Sequence, residues 1–272
     1  MKTVGKEIRL GRFFDVDKNV VVTAVDHCAQ MGPIQGLTNL AKTIESLGAS
    51  DGILINAETL ADYKGVFARK KCPALLARVT WTTAYCFPWE YDEGHTSVIM
   101  PVEEALACGA DLVTACCVLQ TGEQVVDRDN ISLFAEISEA ANACGIPLMG
   151  EAYPLGADFM PQDKLHEQIR TSARIIWELG ADVIKTFYTG PDFAEVVESV
   201  GVPILALGAA KKDSELSALE MAEEAIKAGA RGVVFGRNIF QAKRPPEFLQ
   251  AIKEVVNKKS SAQDAAAKYG LK

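Results

Sequence analysis

Eight short apolar runs recur along the chain, at residues 19–27, 52–56, 74–81, 111–117, 147–154, 182–190, 203–208 and 232–238. They are rich in Val, Ile and Leu and do not alternate cleanly with polar residues, the pattern of parallel strands covered on both faces. Stretches of helical periodicity lie between them, at 38–47, 102–108, 131–144, 164–179, 193–200, 218–228 and 246–257. Helix-ending glycines, among them Gly109, Gly145, Gly180 and Gly229, precede several runs. Eight strands alternating with helices predict an α/β chain folded as a (β/α)8 TIM barrel. An open doubly wound sheet is the alternative, but no G-x-G-x-x-G follows the first run.

The 272 residues suit a single barrel domain over 1–272, because such barrels run to about 250 residues. Residues 1–18 form an N-terminal extension placed to plug the bottom of the barrel. Residues 258–272 form a C-terminal tail in which Ser261 can cap a short helix, either frayed or used as a subunit contact. The third connection, 82–101, carries Tyr85, Phe87, Trp89 and Tyr91. A lid over the active face and a loop packed on itself both fit that composition.

Charge and composition narrow the classes. Apolar residues make up 49% and charged residues 24%, as in soluble globular proteins. A net charge of −8 argues against nucleic acid as a partner, since phosphate backbones demand a basic footprint. No run reaches the ~20 apolar residues that span a bilayer, and the N-terminus has no apolar signal core, so a cytoplasmic protein with no membrane partner is expected. The seven cysteines are odd in number and lack C-x-x-C spacing, which favours reduced thiols over a disulfide or zinc framework.

In such barrels active sites form at the C-terminal strand ends. The polar residues that close the runs are Asp26 and His27, Arg78, Glu151 and Tyr153, Lys185, and Arg237 and Asn238. Lys185 stands inside the sixth run, Asp182-Val183-Ile184-Lys185-Thr186-Phe187. It either reaches solvent along the strand or serves as an amine that condenses with a carbonyl. Period-two parity puts Glu151 and Tyr153 on one side and Lys185 with Val183 and Phe187. It turns His27 away from Asp26: with Asp26 in the lumen, His27 faces the helix shell in a structural role, although it is kept among the binding candidates. Asp26 can cap a turn, orient the lysine or hold a substrate hydroxyl. Tyr153 is a core aromatic or a proton shuttle, and Glu151 a buried structural group or its helper. Gly208, Ala209 and Lys211 after the seventh run and Gly236 and Arg237 at the eighth form a candidate phosphate cradle. The three histidines, His27, His95 and His166, make no H-x-H or H-E-x-x-H, so no metal site and no cofactor are expected.

These residues resemble those of archaeal-type class I fructose-bisphosphate aldolases, Schiff-base enzymes related to deoxyribose-phosphate aldolase and the autoinducer-2 thiolase. The similar segments are Val25-Asp26-His27-Cys28 with Gly32-Pro33, Ala152-Tyr153-Pro154, Ala181-Asp182-Val183-Ile184-Lys185, and Gly236-Arg237-Asn238-Ile239-Phe240. The resemblance implies a lyase in which Lys185 forms the imine, Tyr153 is the general acid/base and Asp26 binds substrate beside it. It implies a phosphorylated sugar held by Gly208, Lys211, Gly236 and Arg237, and a homo-oligomer, a decamer or another assembly. Two departures from the family pattern are Cys28 and Ala209, where glycine is usual, and a third is Arg78, where many relatives carry lysine. A transferase on the same fold (a transaldolase-like amino-dideoxy-heptulosonate synthase or the thiolase) and a non-catalytic sugar-phosphate-binding protein are the alternatives.

Overall fold

The computed structural model describes residues 3–86 and 89–271. Eight parallel strands close into a barrel: β1 Val20–Ala24, β2 Gly52–Ile55, β3 Ala74–Arg78, β4 Leu112–Cys117, β5 Leu148–Ala152, β6 Val183–Phe187, β7 Ile204–Leu207 and β8 Gly232–Phe235. Each strand pairs with its sequence neighbours, and β8 closes onto β1 with Val20 opposite Gly232. The predicted (β/α)8 barrel is the observed fold. Among the described residues no helix is long and apolar enough to cross a membrane.

Strand parity divides the core in two. One face of each strand packs against the helices; the other fills the lumen with Val20, Val22, Leu54, Leu76, Leu112, Met149, Val183, Leu205 and Val234. The layered lumen is characteristic of these barrels. Two residues further along β3, β5 and β6, the same face presents Arg78, Glu151 and Lys185. The apolar layer therefore forms the floor beneath a layer of charge.

Below the floor, the N-terminal segment is the helix Val4–Phe13, which plugs the barrel as its position suggested: Phe13 belongs to the lumen cluster. Lys6, 1% exposed, reaches Asp182 Oδ2 at 2.6 Å, and the same oxygen accepts from the Leu148 amide at 3.0 Å. At the other end of the chain, Ser261 Oγ accepts from the Asp264 amide and caps Ala262–Tyr269. That helix is not frayed: Ala262, Ala265 and Ala266 are buried, and it packs on Glu215–Lys227 and Pro245–Val256 of the same chain. The fourth helix, Gln124–Cys144, begins a full turn and more before the predicted 131, because its first turns are polar and hide the period.

The third connection folds as an antiparallel ribbon, Thr80–Thr82 with Thr96–Val98. Trp89 packs between Trp81 and Tyr91 on the outside, whereas Tyr85 is buried and turned to the barrel mouth. Phe87 lies outside the described residues. The segment both packs on itself and supplies one wall residue.

Lys6→Ala leaves the Asp182 carboxylate buried without its cation, a change that costs about 3–5 kcal/mol. Urea denaturation of the variant is expected to show a loss of this size; a loss below about 1 kcal/mol means the plug contributes little to the fold.

Candidate active site

A cavity of about 560 Å³, open mouth included, lies at the C-terminal end of the strands, within the range of small-molecule sites. Asp26, His27, Arg78, Glu151, Tyr153, Lys185, Gly208, Ala209, Gly236 and Arg237 all line it, so the structure brings together ten of the eleven sequence candidates. Lys211 is the exception. Its Nζ donates to the Gln241 carbonyl at 2.8 Å, outside the cavity.

Four buried charges run across the cavity in one chain. Asp26 Oδ2 accepts from Arg78 Nε at 2.8 Å, and Arg78 Nη2 donates to Glu151 Oε2 at 2.7 Å. The other Glu151 oxygen, Oε1, is ion-paired with Lys185 Nζ. The register of β5 on β6 sets Glu151 directly opposite Lys185, so the pair follows from strand pairing alone. All four residues are less than a tenth exposed. Burial by itself raises the carboxyl groups. For Asp26 the charges of Arg78 and then Lys185 prevail, and for Glu151 those of Lys185 and then Arg78, holding both below the usual carboxylate range. Burial likewise works against the Arg78 charge, but Glu151 and Asp26 outweigh it and keep the guanidinium fully protonated.

Tyr153 sits just beyond β5, with its ring edge-on to Tyr85 at 4.4 Å and against Phe187 at 5.0 Å. Tyr85 is in turn hydrogen-bonded to Cys116 Sγ at 3.1 Å, and burial pushes the Cys116 thiol up to about 12. Burial raises the Tyr85 hydroxyl well above its ordinary value, so that ring stays neutral.

His27 overturns the parity expectation. The strand stops at Ala24, and His27 adopts helical geometry, φ −61°, at the start of the turn Cys28–Met31. Alternation no longer applies there, and Asp26 and His27 both line the cavity. The imidazole lies against Gly236: a Cβ at that glycine would fall 2.4 Å from His27 Cε1, so a side chain is excluded. Burial, with Arg237 nearby and only Asp26 opposing, lowers the His27 pKa to about 4, and the ring is neutral at pH 7.

The β7 and β8 ends meet at the cavity, where Gly208, Ala209, Gly236 and Arg237 line one side. Asn238, which strand-end reading noted without a role, is its clamp: Nδ2 donates to the Gly208 carbonyl at 2.9 Å and to Ala210, and Oδ1 accepts from the Lys212 amide. Ala209 stands at φ 51°, in the left-handed region that favours glycine. Gln30, Met31 and Tyr85 also line the cavity and were missed. For Gln30 a signal existed, since helical spacing from His27 at i+3 puts it on the face that carries the histidine. Tyr85 offered none beyond the aromatic character of its loop. Among the described residues no group of three or more His, Cys, Asp and Glu side chains is placed to hold a metal ion.

Comparison with known proteins points one way. The family model described as DeoC/LacD family aldolase matches residues 20–242. An uncharacterised aldolase of Saccharolobus solfataricus is 30% identical over 267 residues, covering 96% of this chain and 98% of that protein. The 3-hydroxy-5-phosphonooxypentane-2,4-dione thiolase of an Enterobacter species is 31% identical over 262 residues, covering 96% and 84%. A crystal structure of an archaeal fructose 1,6-bisphosphate aldolase superposes with a TM-score of 0.77 at 25% identity, covering 92% of this chain and 98% of the other.

Two outcomes are expected from this geometry. As pH falls below 6.5 the unfolded chain protonates its His27 while the folded chain does not until about pH 4, so stability is lost across that window, by up to about 3 kcal/mol. Urea midpoints of His27→Asn are expected to fall less steeply than wild type between pH 6.5 and 4.5; equal slopes would place the acid sensitivity elsewhere. Ala209→Gly relieves the left-handed backbone and is expected to raise stability by about 1 kcal/mol at pH 7, read from thermal melts.

Proposed function

The chain belongs to the DeoC/LacD family of aldolases, and from that premise we propose that it is a class I aldolase, cleaving or forming a C–C bond beside the ketone of a phosphorylated sugar. The observation that carries this reading is a buried amine, Lys185, ion-paired to a carboxylate that is itself held by an arginine, at the floor of a cavity whose rim is a glycine-rich cradle.

The steps follow from the contacts. Lys185 Nζ passes a proton to Glu151 and adds to the ketone carbon, giving a carbinolamine. Glu151 returns the proton to the carbinolamine hydroxyl, which departs as water and leaves an iminium. The iminium nitrogen keeps the positive charge that Glu151 already faces, so the ion pair of the resting site is preserved in the electron-accepting state. Tyr153 takes the proton of the hydroxyl on the carbon β to the iminium carbon and later returns it to the enamine carbon. The C–C bond breaks, an aldehyde leaves, and its electron pair flows to the nitrogen as an enamine. Protonation at carbon and hydrolysis release the ketone product and restore the lysine. Asp26 holds a substrate hydroxyl beside the imine, and Gly208, Gly236 and Arg237 take the phosphate. A bisphosphorylated ketose such as fructose bisphosphate is the starting candidate.

The thiolase relative supports a second reading, in which the same lysine chemistry ends in transfer to an acceptor. A strict requirement for a second substrate distinguishes transfer from simple cleavage.

Borohydride added with a ketose phosphate is expected to reduce the imine and add the substrate mass to the peptide carrying Lys185, with EDTA present throughout. Lys185→Ala is expected to lose the adduct and all aldehyde release. An active enzyme that yields no adduct on Lys185 removes this mechanism.

A further inference from the structure

The charges around the cavity do not add up to a site for two phosphates. Among its lining residues the charged groups are Asp26, Glu151, Arg78, Lys185 and Arg237. Arg78 is shared between Asp26 and Glu151, and Lys185 is paired with Glu151, so two cations and two anions cancel. Replacing the ammonium by an iminium leaves that balance unchanged. Only Arg237 remains without a carboxylate at ion-pair distance among the described residues, and its Nε is buried without an acceptor. Lys211, the cation sequence reading would add, is turned outward onto Gln241.

Away from Arg237, the cavity offers donors of a different kind. Gln30 is 2% exposed, lines the cavity, and keeps its Nε2 buried with no acceptor among the described residues. Arg78 Nη1 is in the same position. The turn that carries Gln30 is tied toward β3 by the Trp81 indole, which donates to the Ala29 carbonyl at 3.0 Å. Arg78, on β3, therefore stands across β1 and β2 from the β8 cradle, and the Gln30 turn, which follows β1, lies between them. A buried donor left unmet costs about 1–3 kcal/mol, so a bound oxygen there contributes strongly. An anionic oxygen would meet Asp26 and Glu151 with no free cation to balance it; a hydroxyl or carbonyl oxygen meets no such penalty.

We propose that the substrate is a ketose carrying a single phosphate, held at Arg237, and that Gln30, assisted by Arg78 Nη1, reads a neutral oxygen on the β3 side of the cavity and so disfavours bisphosphates. The proposal rests on the aldolase reading and narrows its substrate.

The test compares a ketohexose as its 1-phosphate, 6-phosphate and 1,6-bisphosphate, in each available stereochemistry, by kcat/KM for aldehyde release and by borohydride trapping on Lys185. One monophosphate is expected to exceed the bisphosphate by roughly tenfold or more, the effect of about 1.4 kcal/mol. Gln30→Lys supplies the missing cation and is expected to narrow that ratio through a lower KM for the bisphosphate. Gln30→Met removes the donor at similar volume and is expected to raise KM for the monophosphate. A wild-type enzyme that prefers the bisphosphate, while still forming the Lys185 adduct, overturns the proposal and leaves the aldolase reading intact. No adduct with any ester overturns both. The wild-type ratio decides even where a Gln30 variant does not fold.

Discussion

The interaction on which this site depends is the chain of four buried charges from Asp26 through Arg78 and Glu151 to Lys185. Each member alone would be costly to bury. Together they alternate in sign; strand pairing sets Glu151 against Lys185, and Arg78 at the end of β3 bridges from there to Asp26 just beyond β1. Arg78 is the connecting piece: removing it would leave two carboxylates facing each other across the lumen. Lysine could not take its place unchanged, because a single ammonium lacks the planar fork that spans two separate carboxylates.

The same layering encloses the lysine. The apolar floor of Leu76, Met149 and Val183 blocks water from below, and the aromatic wall of Tyr85 and Tyr153 closes one side. What remains is an opening bordered by the β7 and β8 ends, where Asn238 holds the Gly208 and Ala210 carbonyls in place. The cavity thus has the ends of β5 and β6 around Lys185 and turns held by Asn238 on the β7–β8 side.

Much of this was legible in the sequence because barrels obey short rules. Eight apolar runs marked the strands, and the polar residues closing those runs picked out Arg78, Glu151 and Lys185; that they share one layer is seen only in the structure. What escaped reading did so where those rules stop. His27 was turned outward by a period-two argument carried past Ala24, where the backbone had already become helical. Lys211 was recruited to the cradle on charge alone, yet a long side chain can satisfy itself on a nearby carbonyl. Tyr85 reaches the cavity from an irregular ribbon, and no periodicity foretells which of several aromatic residues turns inward. The ion pairs themselves are contacts between strands distant in sequence, invisible to any local pattern.

The seam between β1 and β8 has a consequence for how the molecule comes into being. Val20 pairs with Gly232, and His27 nests against Gly236, so the first strand waits for the last before either is complete. While the chain is being synthesised, the edge of β1 stands open and Asp26 has no enclosed lumen to enter. The cavity cannot mature piece by piece from the N-terminus; it comes into existence only when the ring closes. Contacts between such remote segments make for slow folding. In this protein the completion of the cavity and the final topological step are the same event.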